Sequence, residues 1–265
     1  MMGSIQSSSG DGAVRMTKDR RVDNPDIRRK ICLATWNALT LNGTGYMTSL
    51  VRELGKYKVS LAGISESRLR GCDVTIVDDA VVIHSGSTQQ TNGVALVLIG
   101  PFRESLVSWT AVSDRILQAT GVCMAHRHRH LTVVVVYAPT EMTSDSIKDS
   151  FYNHLSAIIQ STSPKLIVLG DLNAITGTAN LGTSGVVEPF GSGTPNDNTE
   201  RLHLLCGNHG LTVVGSCFRP LNIHRWTWAS RDGHTKEIDH SLSLPLSWTI
   251  PLNVIPSYTT GLNRR

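Results

Sequence analysis

The chain has 265 residues, 40% of them hydrophobic and 17% charged, with a formal net charge of +4 and a mean hydropathy of −0.06. That length holds one large domain, and the longest apolar stretch, residues 131–139, falls well short of the ~18 residues of a membrane helix. The polar start lacks a signal-peptide core, so a soluble protein inside the cell, nuclear or cytoplasmic, is expected.

The charge is unevenly placed. Residues 1–30 hold seven Lys/Arg against four Asp, and Arg264-Arg265 add two more positive charges, so residues 31–263 are close to neutral. The pI of 8.9 is therefore no sign of a basic nucleic-acid-binding body.

Residues 1–30, rich in Ser, Gly, Asp and Arg without apolar periodicity, read as a disordered leader before a single domain over residues 31–265. Ile31-Cys32-Leu33-Ala34-Thr35-Trp36-Asn37 reads as a strand. Met47, Leu50, Val51 and Leu54 recur at helical spacing up to Gly55, and residues 59–64 form the next strand, ending at Ser65-Glu66. Shorter strands are expected over residues 80–84, 93–99 and 116–125, which makes part of the sheet antiparallel.

The same grammar then returns. Residues 131–137 form a strand, residues 144–160 a helix with Ile147, Phe151, Leu155, Ile158 and Ile159 on one face, and residues 165–169 a second strand. It stops at Gly170-Asp171-Leu172-Asn173, where Gly170 lets a backbone or ligand come close and Asp171 and Asn173 project from the strand end. A Gly/Thr/Ser-rich loop leads to a helix over residues 199–209 with Gly210 as its stop, then strands over residues 211–217 and through Glu237-Ile238-Asp239-His240. Two such units suggest two similar halves packed as a sandwich. The cysteines Cys32, Cys72, Cys123, Cys206 and Cys217 include no Cys-x-x-Cys pair, and reduced, buried thiols are the expectation.

The polar residues at strand ends are Asn37, Glu66, Tyr137, Asp171, Asn173 and Asp239. Thr35-Trp36-Asn37, Ile64-Ser65-Glu66, Val136-Tyr137-Ala138-Pro139-Thr140, Gly170-Asp171-Leu172-Asn173 and Ile238-Asp239-His240 resemble, in order, the motifs of the endonuclease/exonuclease/phosphatase superfamily. Val112-Ser113-Asp114-Arg115-Ile116-Leu117, Phe151-Tyr152-Asn153-His154-Leu155 and Asn196-Asp197-Asn198-Thr199-Glu200-Arg201-Leu202 are similar to the endonuclease domains of RTE/BovB-type non-LTR retrotransposons and to the craniofacial development protein 2 group of host proteins.

The resemblance implies an α/β fold, a four-layer sandwich of two mixed β-sheets packed together with helices outside. It implies Mg²⁺-dependent phosphodiester hydrolysis, with Mn²⁺ as a substitute, and DNA as the substrate to be nicked. Glu66 becomes the direct metal ligand with Asn37 supporting it, Tyr137 and Asn173 phosphate contacts, Asp171 the group that orients or deprotonates water, and Asp239 the supporting penultimate acid. Such chemistry needs a hard cation and stabilisation of the leaving oxygen. Arg68, Arg70, Asn196 and Asn198 are candidate nucleic-acid contacts.

Two conspicuous features read as ordinary. His126-Arg127-His128-Arg129-His130 is expected to be a solvated hairpin tip, and Trp226 and Trp228, on one face of a strand, are expected in the core. Members of the superfamily end in Ser-Asp-His, which this sequence lacks, and residues 254–263 look like the lead-in to it. The expectation is a domain incomplete at its C-terminus, without its last strand and of doubtful activity. The alternatives are a non-catalytic remnant that binds nucleic acid or a partner, and a phosphatase of the same superfamily.

Overall fold

The computed structural model describes residues 13–15, 32–124, 129–162, 165–219, 227–229 and 232–244. In chain order the elements are β1 (Ala13–Arg15), β2 (Leu33–Asn37), α1 (Tyr46–Lys56), β3 (Leu61–Ser65), β4 (Cys72–Val77), β5 (Ala80–Ser85), β6 (Val94–Ile99), β7 (Ser108–Ser113), β8 (Ile116–Met124) and β9 (Arg129–Tyr137). They continue with α2 (Asp145–Ser161), β10 (Leu166–Asp171), α3 (Asp197–His209), β11 (Thr212–Val213), β12 (Trp228–Ala229), β13 (Thr235–Lys236) and β14 (Asp239–Ser243), with short 3₁₀ turns between some of them.

The strands form a five-stranded sheet in the order β2-β3-β6-β5-β4, a seven-stranded sheet in the order β1-β7-β8-β9-β10-β14-β11, and a two-stranded arm, β12-β13. In each large sheet one parallel pair is joined through a helix, β2-α1-β3 and β9-α2-β10, and the other pairings are antiparallel. The two halves expected from the repeated grammar are these two units.

Alternation along each strand decides where the core lies. Leu33 and Leu61 of one sheet face Val133, Val135, Ile167 and Leu169 of the other in a shared interior. Ala34, Trp36, Ala62 and Ile64 turn outward under Leu50, Val51 and Leu54 of α1. Val134, Val136 and Val168 turn outward under Phe151 and Leu155 of α2 and Leu202 and Leu205 of α3. This gives the four-layer α/β sandwich, helix on sheet on sheet on helix, as expected. No helix of the described residues is long and apolar enough to cross a membrane.

Several local expectations are corrected. Strands β4 and β7 were not foreseen, because β4 is a largely solvent-facing edge strand without a regular apolar alternation. Residues 211–217 hold only two strand residues before a 3₁₀ turn. On α2, Ile147 is exposed, and the buried place next to it belongs to Lys148, whose Nζ lies 2.6 Å from Asp197 Oδ2. Ala13–Arg15, within the segment read as a leader, pairs antiparallel with β7. Among the described thiols only Cys206 is fully buried, and Cys72 is exposed.

Candidate active site at the end of the sandwich

Five strands place a polar residue facing the other sheet at one end of the sandwich: Asn37, Ser65, Tyr137 and Asp171 at the last positions of β2, β3, β9 and β10, and Asp239 at the first position of the antiparallel β14. Across the seven-stranded sheet Tyr137, Asp171 and Asp239 are register partners in one row, and Asn37 and Ser65 are partners in the row opposite. The sheets come close here because Gly63 has no side chain; a Cβ there would lie 2.7 Å from Leu169 Cβ. Gly170, at φ 145°, is needed for the same reason within the sheet, since a Cβ would lie 1.9 Å from the Val136 carbonyl oxygen.

Ser65 ties the two sheets together. Its hydroxyl donates to the Val136 carbonyl at 3.2 Å and accepts from the Asp171 N–H at 2.9 Å. Asn37 Nδ2 donates to Glu66 Oε1 at 2.9 Å and to Asp171 Oδ2 at 3.1 Å, and its own Oδ1 accepts from the Leu39 N–H at 3.0 Å. Two carboxylates draw its NH₂, so Asn37 positions Glu66 and Asp171.

Asp171 Oδ1 accepts from the Asn173 N–H at 2.8 Å, and Asn173 Nδ2 donates to the Ala138 carbonyl at 2.9 Å. Among the described residues, four of the seven non-glycine residues with positive φ, namely Leu39, Glu66, Arg68 and Asn173, cluster around this end of the sandwich. Such backbone persists only where surrounding contacts impose it, and it is commonest at functional sites.

A cavity of about 420 Å³ opens at this point, lined by Asn37, Glu66, Tyr137, Asp171, Asn173 and Asp239 and roofed by Trp228 and Lys236 of the β12-β13 arm. Burial raises the Asp171 carboxyl to about 7, with the charge of Glu66 adding to it and hydrogen bonds from Asn173 and Asn37 opposing it. Asp239 is raised well above the usual carboxylate range, by burial first and by Asp171 second. Both its oxygens are buried, and among the described residues the donor near them is the Thr227 hydroxyl, which opposes the shift and itself accepts from the Ile238 and Asp239 N–H groups. The Tyr137 phenol is also pushed up, by burial and then by Glu66 and Asp171, so it stays protonated. Arg115, whose Cζ lies 4.9 Å from the ring centroid, opposes that shift.

A buried carboxylate without a cationic partner is costly, and a cation relieves it. Among the described residues no three carboxylate, imidazole or thiolate groups converge as a ready-made metal cage. The oxygens on offer are those of Glu66 and Asp239, a sparse set that suits a hard ion retaining most of its waters.

The other sequence candidates fall as follows. Arg68 sits beside the site, paired with Glu66 at 2.8 Å, and Arg70 is exposed nearby. Asn198 is fully buried and donates to the carbonyls of Pro139 and Asn173, so it holds loops and cannot reach a nucleic acid. Asn196 lines the cavity, but its amide already donates to the Asn173 carbonyl and accepts from the Ile175 N–H. Both are corrected to positioning residues.

Trp228 is not core: it is 38% exposed at the cavity mouth, with Lys236 Nζ 5.6 Å from its ring centroid and 3.9 Å from Glu141. His240 turns the other way from Asp239 and meets the Ala174 carbonyl at 2.8 Å, consistent with Asp239 as the penultimate acid. Trp226, residues 126–128 and residues 254–263 lie outside the described residues.

No protein-family model matches the chain. It is 28% identical over 214 residues to craniofacial development protein 2 of Bos taurus, covering 79% of this chain and 35% of that one. It is 25% identical over 237 residues to craniofacial development protein 2 of Tragulus javanicus, covering 88% and 38%. The chain thus spans little more than a third of the length of these curated relatives. They bear out the similarity to the craniofacial development protein 2 group.

Among solved structures, humanized D. rerio TDP2 carrying 14 mutations aligns with a TM-score of 0.45 and 12% identity over 78% of this chain and 80% of that one. D. rerio TDP2 complexed with single strand DNA product aligns with a TM-score of 0.45 and 12% identity over 80% and 83%.

Proposed function

Starting from an endonuclease/exonuclease/phosphatase-like fold whose polar residues gather at one end of both sheets, we propose that this chain is a divalent-cation-dependent phosphodiesterase that nicks DNA, of retrotransposon descent. The observation that carries the reading is the convergence of two buried acids, Asp171 and Asp239, with Glu66 in one open cavity. A fold that buries two neighbouring acids with no ion pair to either among the described residues has a use for a bound cation.

Mg²⁺, or Mn²⁺ in its place, is held by Glu66 with help from Asp239 and supplies charge neutralisation for the phosphate. Asp171, oriented by Asn37 and by the Asn173 N–H, takes a proton from the attacking water. The water oxygen bonds to phosphorus, the ester bond to the leaving oxygen breaks, and that oxygen takes a proton from solvent. The neutral Tyr137 hydroxyl and the Asn173 amide donate to non-bridging oxygens as charge develops on them. Trp228 offers a stacking surface at the cavity mouth and Lys236 a phosphate contact, both suited to a polynucleotide.

Supercoiled plasmid incubated with the protein and Mg²⁺ should convert to open circles, stop doing so in EDTA, and persist intact with Glu66→Ala or Asp171→Ala. Loss of a general base costs ~10²–10⁴ in rate. DNA binding without nicking, unchanged by EDTA and by Asp171→Ala, identifies a non-catalytic binder instead. Turnover of inositol or lipid phosphates with no nicking identifies a phosphatase.

A further inference from the structure

The site already holds a cation of its own. Arg68 Nη2 donates to Glu66 Oε2 at 2.8 Å while Asn37 Nδ2 holds Oε1 at 2.9 Å, so both oxygens of the proposed metal ligand are engaged. The pairing is built into the backbone. Glu66 and Arg68 both have φ 51°, which brings side chains two residues apart onto one side of the turn. The Ser67 N–H donates to the Gly93 carbonyl at 2.9 Å, the Leu41 N–H donates to the Ser67 carbonyl at 2.7 Å, and a Cβ on Gly93 would lie 2.5 Å from Ser67 Oγ.

The two partners differ in freedom. The Glu66 side chain is 14% exposed and the Arg68 side chain 44% exposed, so the guanidinium can swing into solvent while the carboxylate stays. A divalent cation and a guanidinium repel, and both want the same oxygen.

We infer that Arg68 is a displaceable counter-ion: it occupies Glu66 until a divalent cation arrives, is expelled by it, and then turns its fork to a backbone phosphate of the substrate. This rests on the metal reading of Glu66 given above. It makes metal and polynucleotide binding mutually reinforcing, because the cation frees the very group that the phosphate takes up.

The test is Mn²⁺ binding to the full chain by titration calorimetry, without DNA. Arg68→Ala should bind Mn²⁺ up to about fivefold tighter, the worth of removing one partly exposed ion pair, and Arg68→Lys should fall between it and the parent. Glu66→Gln should lose the site. In the unaltered protein, the Arg68 guanidinium signal in ¹⁵N NMR should sharpen and shift on adding diamagnetic Mg²⁺, saturating with the calorimetric affinity. Equal or weaker Mn²⁺ binding by Arg68→Ala, with Glu66→Gln still losing the site, overturns the exchange and leaves the metal reading standing. Unchanged binding in Glu66→Gln overturns both.

Discussion

Asp239→Asn should make the cation-free protein more stable, the reverse of what a substitution at a fully buried position usually does. Asp239 is 2% exposed and, among the described residues, has at most the Thr227 hydroxyl as a donor, while Asp171 sits opposite it in the β10-β14 register. The amide has almost the same volume, so packing is preserved. It does leave an unpaired polar group that costs ~1–3 kcal/mol, where an unpaired buried charge costs several. The net gain is on the order of 1–3 kcal/mol, or roughly 3–8 °C in melting temperature for a domain of this size.

The sign of the pH dependence follows from the raised carboxyl. A group whose folded pKa lies above its unfolded value contributes stability that is complete below the unfolded value, near 3.8, and lost as pH rises through the folded one. The parent therefore loses stability on going from acid to neutral pH, and Asp239→Asn is spared that part of the loss. Thermal melts of both proteins in EDTA from pH 4.5 to 8 should diverge steadily with pH. Saturating Mg²⁺ should then raise the parent and leave the variant nearly unmoved. A variant that melts below the parent in EDTA at pH 7.5, or a gap that is constant with pH, would refute the reasoning.

Three further perturbations probe how the site is held. Ser65→Ala removes the hydroxyl between the Val136 carbonyl and the Asp171 N–H; urea unfolding should show a loss of about 1–3 kcal/mol, and nicking should slow more than DNA binding weakens. Gly63→Val drives a side chain into Leu169, where even a Cβ would approach to 2.7 Å, and should cost at least about 1–3 kcal/mol by denaturant midpoint. Trp228→Ala should leave the melting temperature unchanged, because the ring is 38% exposed. It should raise the KM for a DNA oligonucleotide roughly 5- to 100-fold, the worth of one base stacked on an aromatic ring.

The core was legible because period two and period 3.6 are local signals. Val133, Val135, Ile167 and Leu169 announce a doubly covered strand pair, and α1 shows its stripe of Leu50, Val51 and Leu54. Asn37, Glu66, Tyr137, Asp171 and Asp239 were legible for the complementary reason. Each interrupts or ends an apolar run, and a polar residue at the last inward position has to be satisfied by something across the gap. What remained hidden depends on the gap itself. Ser65 and Gly63 are small residues with no local mark, and their importance comes from Val136 and Leu169, which approach them from distant parts of the chain, while Gly170 shows in the sequence as a place of close approach without showing that the Val136 carbonyl is what approaches. Asn196 and Asn198 carried the opposite error, since an amide in a loop looks available until the carbonyls of Pro139 and Asn173 are seen to occupy it.

Trp228 shows how one geometric fact turns a core residue into a site residue. A tryptophan in a strand is buried if that strand joins a sheet. Among the described residues the β12-β13 arm pairs only with itself, and the Trp228 ring is left over the cavity, with Lys236 near its face and Glu141 at the mouth. The same separation gives the arm its chemical meaning. The groups proposed for the reaction are fixed by the two sheets, whereas the groups that meet the rest of a polynucleotide are carried on a piece that can differ in sequence without disturbing them. Changes at Trp228 and Lys236 should therefore move substrate preference and KM, while changes at Asp171 and Asn173 move kcat.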